Sequence, residues 1–140
     1  MPEMLCHLIG DYCLQNHWMA NRKTSSWIAA LIHAAFYSLP FALLLSLTVP
    51  DVGRRFAAGA IIIGTHAVID RFRLAKVWID FWGVGVEGRV VPLVRRVLGV
   101  HGQPVESAPP FLGVWLVIIV DNTAHLCINH AALAWAMERA

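Results

Sequence analysis

The sequence predicts an all-α polytopic membrane protein, a four-transmembrane-helix antiparallel bundle with an interfacial helix between spans 3 and 4. Three observations carry that expectation. Of 140 residues, 58% are hydrophobic and 14% are charged, where a soluble domain carries about 25% charged residues. Mean hydropathy is +0.60. Several apolar runs approach the roughly 20 residues that cross a bilayer, and short polar turns separate most of them. One membrane domain over residues 1–140 accommodates them all.

The first apolar segment, about 3–19, is short for a span. His7, Asp11 and Gln15 interrupt it at steps of four, which puts them in one stripe on a helix. It also lacks the basic start of a secretory signal. Asn21 to Ser25 is a polar turn, with Thr24 or Ser25 as the expected N-cap of the next helix. The second span, about 26–48, has His33 and a few hydroxyls as its polar groups, and Pro40 is placed to kink it. Val49-Pro50-Asp51-Val52-Gly53 is a tight turn by composition.

The third span, about 55–73, closes on His66 and Asp70, and its Ala60 and Gly64 are spaced for close helix packing. An aromatic cluster, Trp78 to Trp82, follows at the composition typical of headgroup depth. Residues of about 78–100 carry valines on one side and Arg89, Arg95 and Arg96 on others, which predicts an interfacial helix. After a polar loop, the fourth span, about 110–137, carries Asp121, Asn122, His125, Asn129 and His130. Cys6, Cys13 and Cys127 all fall in apolar runs and read as small buried hydrophobes.

Orientation follows from basic residues. Arg22, Lys23, Arg71, Arg73, Lys76, Arg89, Arg95 and Arg96 fall on one side; Arg54, Arg55 and Arg139 fall on the other. Basic loops stay in the cytoplasm. The expected location is therefore the inner (cytoplasmic) membrane, with both termini outside. On that topology His33, His66, Asp70, Asp11 and Asp121 all lie within roughly 5–20 Å of the cytoplasmic boundary at 1.5 Å per residue.

His7 with Asp11, His66 with Asp70, and Asp121 with His125 each repeat one i, i+4 spacing that stacks an imidazole and a carboxylate. An Asp at the middle of a membrane helix costs about 2.5–3.5 kcal/mol. An interhelical polar contact returns only about 0.6–2 kcal/mol. Structural pairing alone therefore falls short of offsetting three carboxylates. A divalent metal accounts for them better: zinc first, with iron or manganese as alternatives, since imidazole nitrogen and carboxylate oxygen suit all three. The candidate ligands are His7, Asp11, His33, His66, Asp70, Asp121 and His125. Gln15 and Asn122 are candidates for orienting those ligands through hydrogen bonds. Asp70 and Asp121 are the candidate catalytic carboxylates. Arg71 and Arg73, directly after Asp70, set topology and are candidates for capturing an anionic headgroup.

His7-Leu8-Ile9-Gly10-Asp11-Tyr12 with Leu14-Gln15, Trp18-Met19-Ala20 with Lys23, the single His33, His66 to Asp70, and Asp121 to His125 together form a pattern. It resembles a family of small bacterial and phage membrane proteins known as domain of unknown function 3307. That family shows an H-[LF]-[LIV]-[GA]-D-[FY]-x-[LF]-Q opening, a W-M-A-x-x-K turn, an H-x-x-x-D span and a closing D-Q-x-x-H. Asn122 stands where the pattern has Gln, which keeps an amide but shortens it. The family's motifs are similar to those of membrane-bound metal-dependent hydrolases. The expected function is a metal-dependent hydrolase acting on a lipid or lipid-linked phosphate near the cytoplasmic leaflet, with membrane lipids as partners and no nucleic acid. A small proton or ion conductor, or a non-catalytic phage or host membrane factor, is the alternative.

Overall fold

The computed structural model describes residues 2–82 and 110–138, which form helices and no strand. These helices are α1 (Pro2–Leu8), a five-residue π turn (Ile9–Cys13), α2 (His17–Arg22), α3 (Trp27–Thr48), α4 (Val52–Phe72), α5 (Leu74–Trp82) and α6 (Pro110–Met137). The chain divides into two units, Met1–Phe72 with Ala124–Ala140, and Arg73–Thr123. The long α6 starts in the second unit and ends in the first.

Three of the described helices are long and apolar enough to cross a membrane: Trp27–Thr48, Val52–Phe72 and Gly113–Met137. At 1.5 Å per residue, a 22-residue helix such as α3 covers about 33 Å, against a hydrocarbon core of about 30 Å. Large apolar side chains cover their outer faces, among them Ile28, Leu39, Leu43, Leu47, Phe56, Trp115 and Ile119. A face of that kind is unsuited to water and suited to lipid. The chain reads as a membrane protein.

Within the first unit the buried positions follow the helical repeat. Ala29, His33, Tyr37, Phe41 and Leu45 form one stripe on α3, and Ala58, Ile62, His66 and Asp70 form one on α4. On α6 the stripe is His125, Asn129, Leu133 and Ala136. Cys6 joins Tyr37, Phe41, Leu45, Val49, Ala58, Ile62, Ala132, Leu133 and Ala136 in an apolar core. Each stripe is apolar at one end and polar at the other. The short Val49–Asp51 connection makes α3 and α4 antiparallel, so the polar start of α3 lies beside the polar end of α4. That pairing builds the site.

The caps explain where the helices start. Ser26, rather than Thr24 or Ser25, caps α3, its Oγ accepting from the Ala29 amide at 3.4 Å. Asp51 Oδ1 accepts from the Arg54 amide at 2.7 Å at the head of α4. The Arg55 guanidinium donates to the carbonyls of Val49 and Pro50 and ties off the α3 terminus. α3 runs unbroken through Pro40, whose carbonyl accepts from the Cys6 thiol at 3.5 Å.

The first expected span departs from a continuous helix. The chain widens into the π turn, where the Leu14 amide bonds back to the Ile9 carbonyl at 3.0 Å. It then leaves the helix altogether at Asn16, whose side chain accepts from the Met19 amide at 2.9 Å and starts α2 instead. An Asn side chain that competes for backbone donors ends one helix and caps the next. Gly10 in the π turn is set directly on α3: a Cβ there would lie 2.5 Å from the Tyr37 carbonyl oxygen. By contrast, a Cβ on Gly64 would meet nothing within 4 Å, so this glycine makes no close helix contact among the described residues. Of the three cysteines expected inside, Cys6 is buried, while Cys13 and Cys127 are exposed on helix faces.

In the second unit α5 buries Ala75 and Ile79. On its outer side, Lys76 Nζ lies 2.7 Å from Asp80 Oδ2. The interfacial helix expected over about 78–100 falls, beyond Trp82, outside the described residues, as do Arg89, Arg95, Arg96 and Arg139.

Candidate functional site

Three helical segments converge on a polar centre in the first unit. The π turn brings Asp11, α3 brings His33, and α4 brings His66 and Asp70; all four are buried. One ligand atom from each lies within 4.8 Å of all the others. His33 Nε2 is 2.9 Å from His66 Nε2, 3.1 Å from Asp11 Oδ1 and 3.2 Å from Asp70 Oδ2. His66 Nε2 is 3.2 Å from Asp70 Oδ2 and 4.0 Å from Asp11 Oδ1.

A fifth group completes the centre. Lys23, at the end of α2, places Nζ 2.8 Å from Asp70 Oδ2, 3.7 Å from Asp11 Oδ1 and 3.3 Å from His33 Nε2. Its side chain is 17% exposed, which makes it the rim of an otherwise closed cluster. With the imidazoles neutral, two carboxylates and one ammonium leave a net charge of −1 in a low-dielectric interior. A charge of that kind calls for a further proton or cation.

Hydrogen bonding alone does not account for the geometry. A ring nitrogen offers either one N–H or one lone pair, yet His33 Nε2 faces three acceptors and an ammonium. Four ligand atoms gathered within 4.8 Å of one another could hold a cation. Zinc bonds of 2.0–2.1 Å to nitrogen give tetrahedral ligand–ligand edges of about 3.3 Å. Four of the five measured separations among these ligand atoms, 2.9, 3.1, 3.2 and 3.2 Å, fall close to that edge. The donor set fits a divalent metal.

His125 stands at the edge of this group, with Nε2 3.7 Å from Asp70 Oδ1 and Nδ1 3.3 Å from His66 Nδ1. His7 is not among the four clustered ligands. Its Nδ1 lies 2.9 Å from the Tyr37 hydroxyl, which also accepts from Asn129 Nδ2 at 2.6 Å. The Tyr37 ring stacks on His66, with centroids 3.6 Å apart and planes 7° apart. His7, Tyr37 and Asn129 therefore form a buried layer that fixes the face of one cluster imidazole. Sequence reasoning passed over Tyr37 and Asn129 as site residues, although each stands one helical turn after a buried histidine. It read Lys23 as a topology charge.

The remaining expected site residues lie outside the four clustered ligands. Arg71 Nη1 donates to the Thr24 carbonyl at 2.5 Å, and its guanidinium lies 5.5 Å from the Trp27 ring centroid. It pins the α2–α3 corner. Arg73 is exposed, with φ 52 in the left-handed region where α4 ends. Gln15 Oε1 is buried and has no hydrogen-bond partner among the described residues, so that oxygen orients none of these ligands. Asp121 and Asn122 belong to the second unit and are partly buried, with Asp121 one turn before His125 on α6. A groove of about 460 Å³ between α3 and α4, lined by Phe41, Leu45, Phe56 and Ile63, is apolar and separate from the cluster.

The model of a family described as Protein of unknown function (DUF3307) matches residues 1–87. The chain belongs to this family. The DUF3307 segment contains Asp11, Lys23, His33, His66 and Asp70, the whole of the converging centre, together with Gly10 and Tyr37. It ends before α6, so the closing Asp121-to-His125 motif expected of the family lies outside the matched residues. No curated protein and no solved structure matches the chain.

Proposed function

We propose that this DUF3307 protein is a membrane-embedded, metal-dependent hydrolase acting on a lipid or lipid-linked phosphate. The observation that carries the reading is the convergence of Asp11, His33, His66 and Asp70 within 4.8 Å in a buried cluster on apolar helices. A divalent metal held there, zinc before iron or manganese, would supply a coordinated water of pKa about 7 and polarise the scissile phosphoryl or acyl group. The chain's own residues would do the rest. Asp11, His33, His66 and Asp70 hold the ion. Tyr37 locks the plane of His66 by stacking on it. Asp70 Oδ1, turned toward His125 Nε2, is placed to hold and pass a proton between substrate and imidazole. Asp121 is the second candidate carboxylate for that duty.

The topology is part of the same proposal. On the charge bias, the two basic loops would lie in the cytoplasm and the protein in the inner membrane, with α1, the π turn and the residues up to Asn16 as a short fourth crossing. The centre then lies at the cytoplasmic side, where an anionic headgroup could reach it.

Elemental analysis of detergent-purified protein tests the reading. About one or more zinc, iron or manganese ions per chain supports it, and a metal-free protein overturns it.

A second reading, proton or ion conduction, has its own observation. His33 Nδ1 is buried with no hydrogen-bond partner among the described residues. This favours its proton on Nε2, facing the carboxylates, in a row that continues through His66 to His125. That reading predicts a pH-dependent current in liposomes and no stoichiometric metal.

A further inference from the structure

The Lys23 ammonium lies against the atoms that would hold an ion. Its contacts, Asp70 Oδ2, Asp11 Oδ1 and His33 Nε2, are atoms of three of the four clustered ligands. We propose that Lys23 is an exchangeable internal cation: it offsets one of the centre's two negative charges while no metal is bound, and a divalent metal must displace it to enter. This rests on the metal-site reading above.

Three features support the exchange. The first is charge. A metal about 2.0–2.2 Å from Asp70 Oδ2 would meet an ammonium only 2.8 Å from the same oxygen, and like charges at that range in a low dielectric repel strongly. The second is mobility. Lys23 has a flexible four-carbon stem and lies at the end of α2 with its side chain 17% exposed, so it has somewhere to go. The neighbouring Arg71, held by Thr24 and Trp27, does not. The third is balance. Two carboxylates with a divalent ion come to zero, so the ammonium is no longer needed inside. Once displaced, it adds a positive charge at the rim, on the path of an anionic headgroup.

The sequence provides an internal reference, because its two lysines are Lys23 and Lys76. Lys76 is exposed and paired to Asp80 on α5. Metal-stripped wild-type protein in nanodiscs is labelled briefly with an amine-reactive reagent, with and without saturating zinc, and the Lys23-to-Lys76 ratio is read by mass spectrometry. Zinc is expected to raise that ratio about fivefold or more, because the ammonium leaves its carboxylates. In parallel, zinc titration of Lys23→Met is expected to show affinity about tenfold or more above wild type. An unchanged labelling ratio in zinc-loaded protein, or equal affinity in the two proteins, overturns the exchange and leaves the metal site standing. Failure of both proteins to bind zinc overturns the metal site, and the exchange with it. Binding by Lys23→Met but not by wild type supports the exchange in its strongest form.

Discussion

His33 and His66, on neighbouring antiparallel helices, face each other Nε2 to Nε2 at 2.9 Å. Each of these nitrogens also stands 3.2 Å from Asp70 Oδ2. One shared proton could join the two rings, but it would leave the carboxylate contact of one ring unsatisfied. A cation accepts all the lone pairs at once.

Under the proposed metal-site reading, removing either ring should remove the ion. In His33→Ala or His66→Ala, metal content is expected to fall about tenfold or more, while the protein still inserts and purifies as wild type. Elemental analysis of equal amounts of each protein checks this. Near-normal metal in either variant would place the ion elsewhere.

Gly10 controls how closely the π turn approaches α3. A Cβ 2.5 Å from the Tyr37 carbonyl and 2.9 Å from its ring cannot be absorbed by a rotamer change alone. Gly10→Ala should push the segment away from α3, at a cost of about 1–3 kcal/mol, and shift Asp11 with it. Gly64→Ala is the control, since the added methyl meets nothing within 4 Å. Thermal melts in detergent should show a clear drop for the first and little or none for the second. Matching melts would refute the close approach.

Tyr37 combines two jobs that a single atom separates. Tyr37→Phe keeps the stack on His66 and deletes the hydroxyl that His7 and Asn129 share. Leaving those buried groups without it should cost about 1–3 kcal/mol of stability, with metal content unchanged. Tyr37→Ala, which removes the stack as well, should lower both. Loss of metal in the Phe variant would mean that His7 and Tyr37 act on the ion more directly than the stacking geometry implies.

Much of the centre was legible as spacing. The run Ala58, Ile62, His66, Asp70 advances by four, so a buried apolar stripe that turns polar can be read directly from α4. The same holds for His33 on α3. What escaped was anything fixed by a helix break. Asn16 stops the first segment by capping α2, and that choice between two hydrogen-bonding fates depends on packing that no periodicity reports. Lys23 then arrives at the centre because α2 folds back toward α3. In sequence it is a basic residue in a polar turn, indistinguishable from a topology charge. The expected His7–Asp11 pairing assumes a regular helix; the π turn carries Asp11 into the cluster, while His7 on α1 meets the Tyr37 hydroxyl.

Arg71 and Arg73, closely spaced topology charges and candidates for a headgroup site in the sequence, have different surroundings in the structure. Arg71 is held by the Thr24 carbonyl and lies over Trp27, while Arg73 is exposed at the end of α4. A planar guanidinium that stacks and donates at once has no equivalent in lysine. Arg71→Lys should loosen the α2–α3 corner and lower thermal stability by about 1–2 kcal/mol. Because Lys23 hangs from that corner, the same change should also increase its labelling in the metal-free protein. Arg73→Gln should leave both unchanged, and should weaken binding of an anionic lipid only if that exposed side chain takes over the headgroup role. No effect from Arg71→Lys would mean that Arg71 acts by charge alone and that the corner is held by something else.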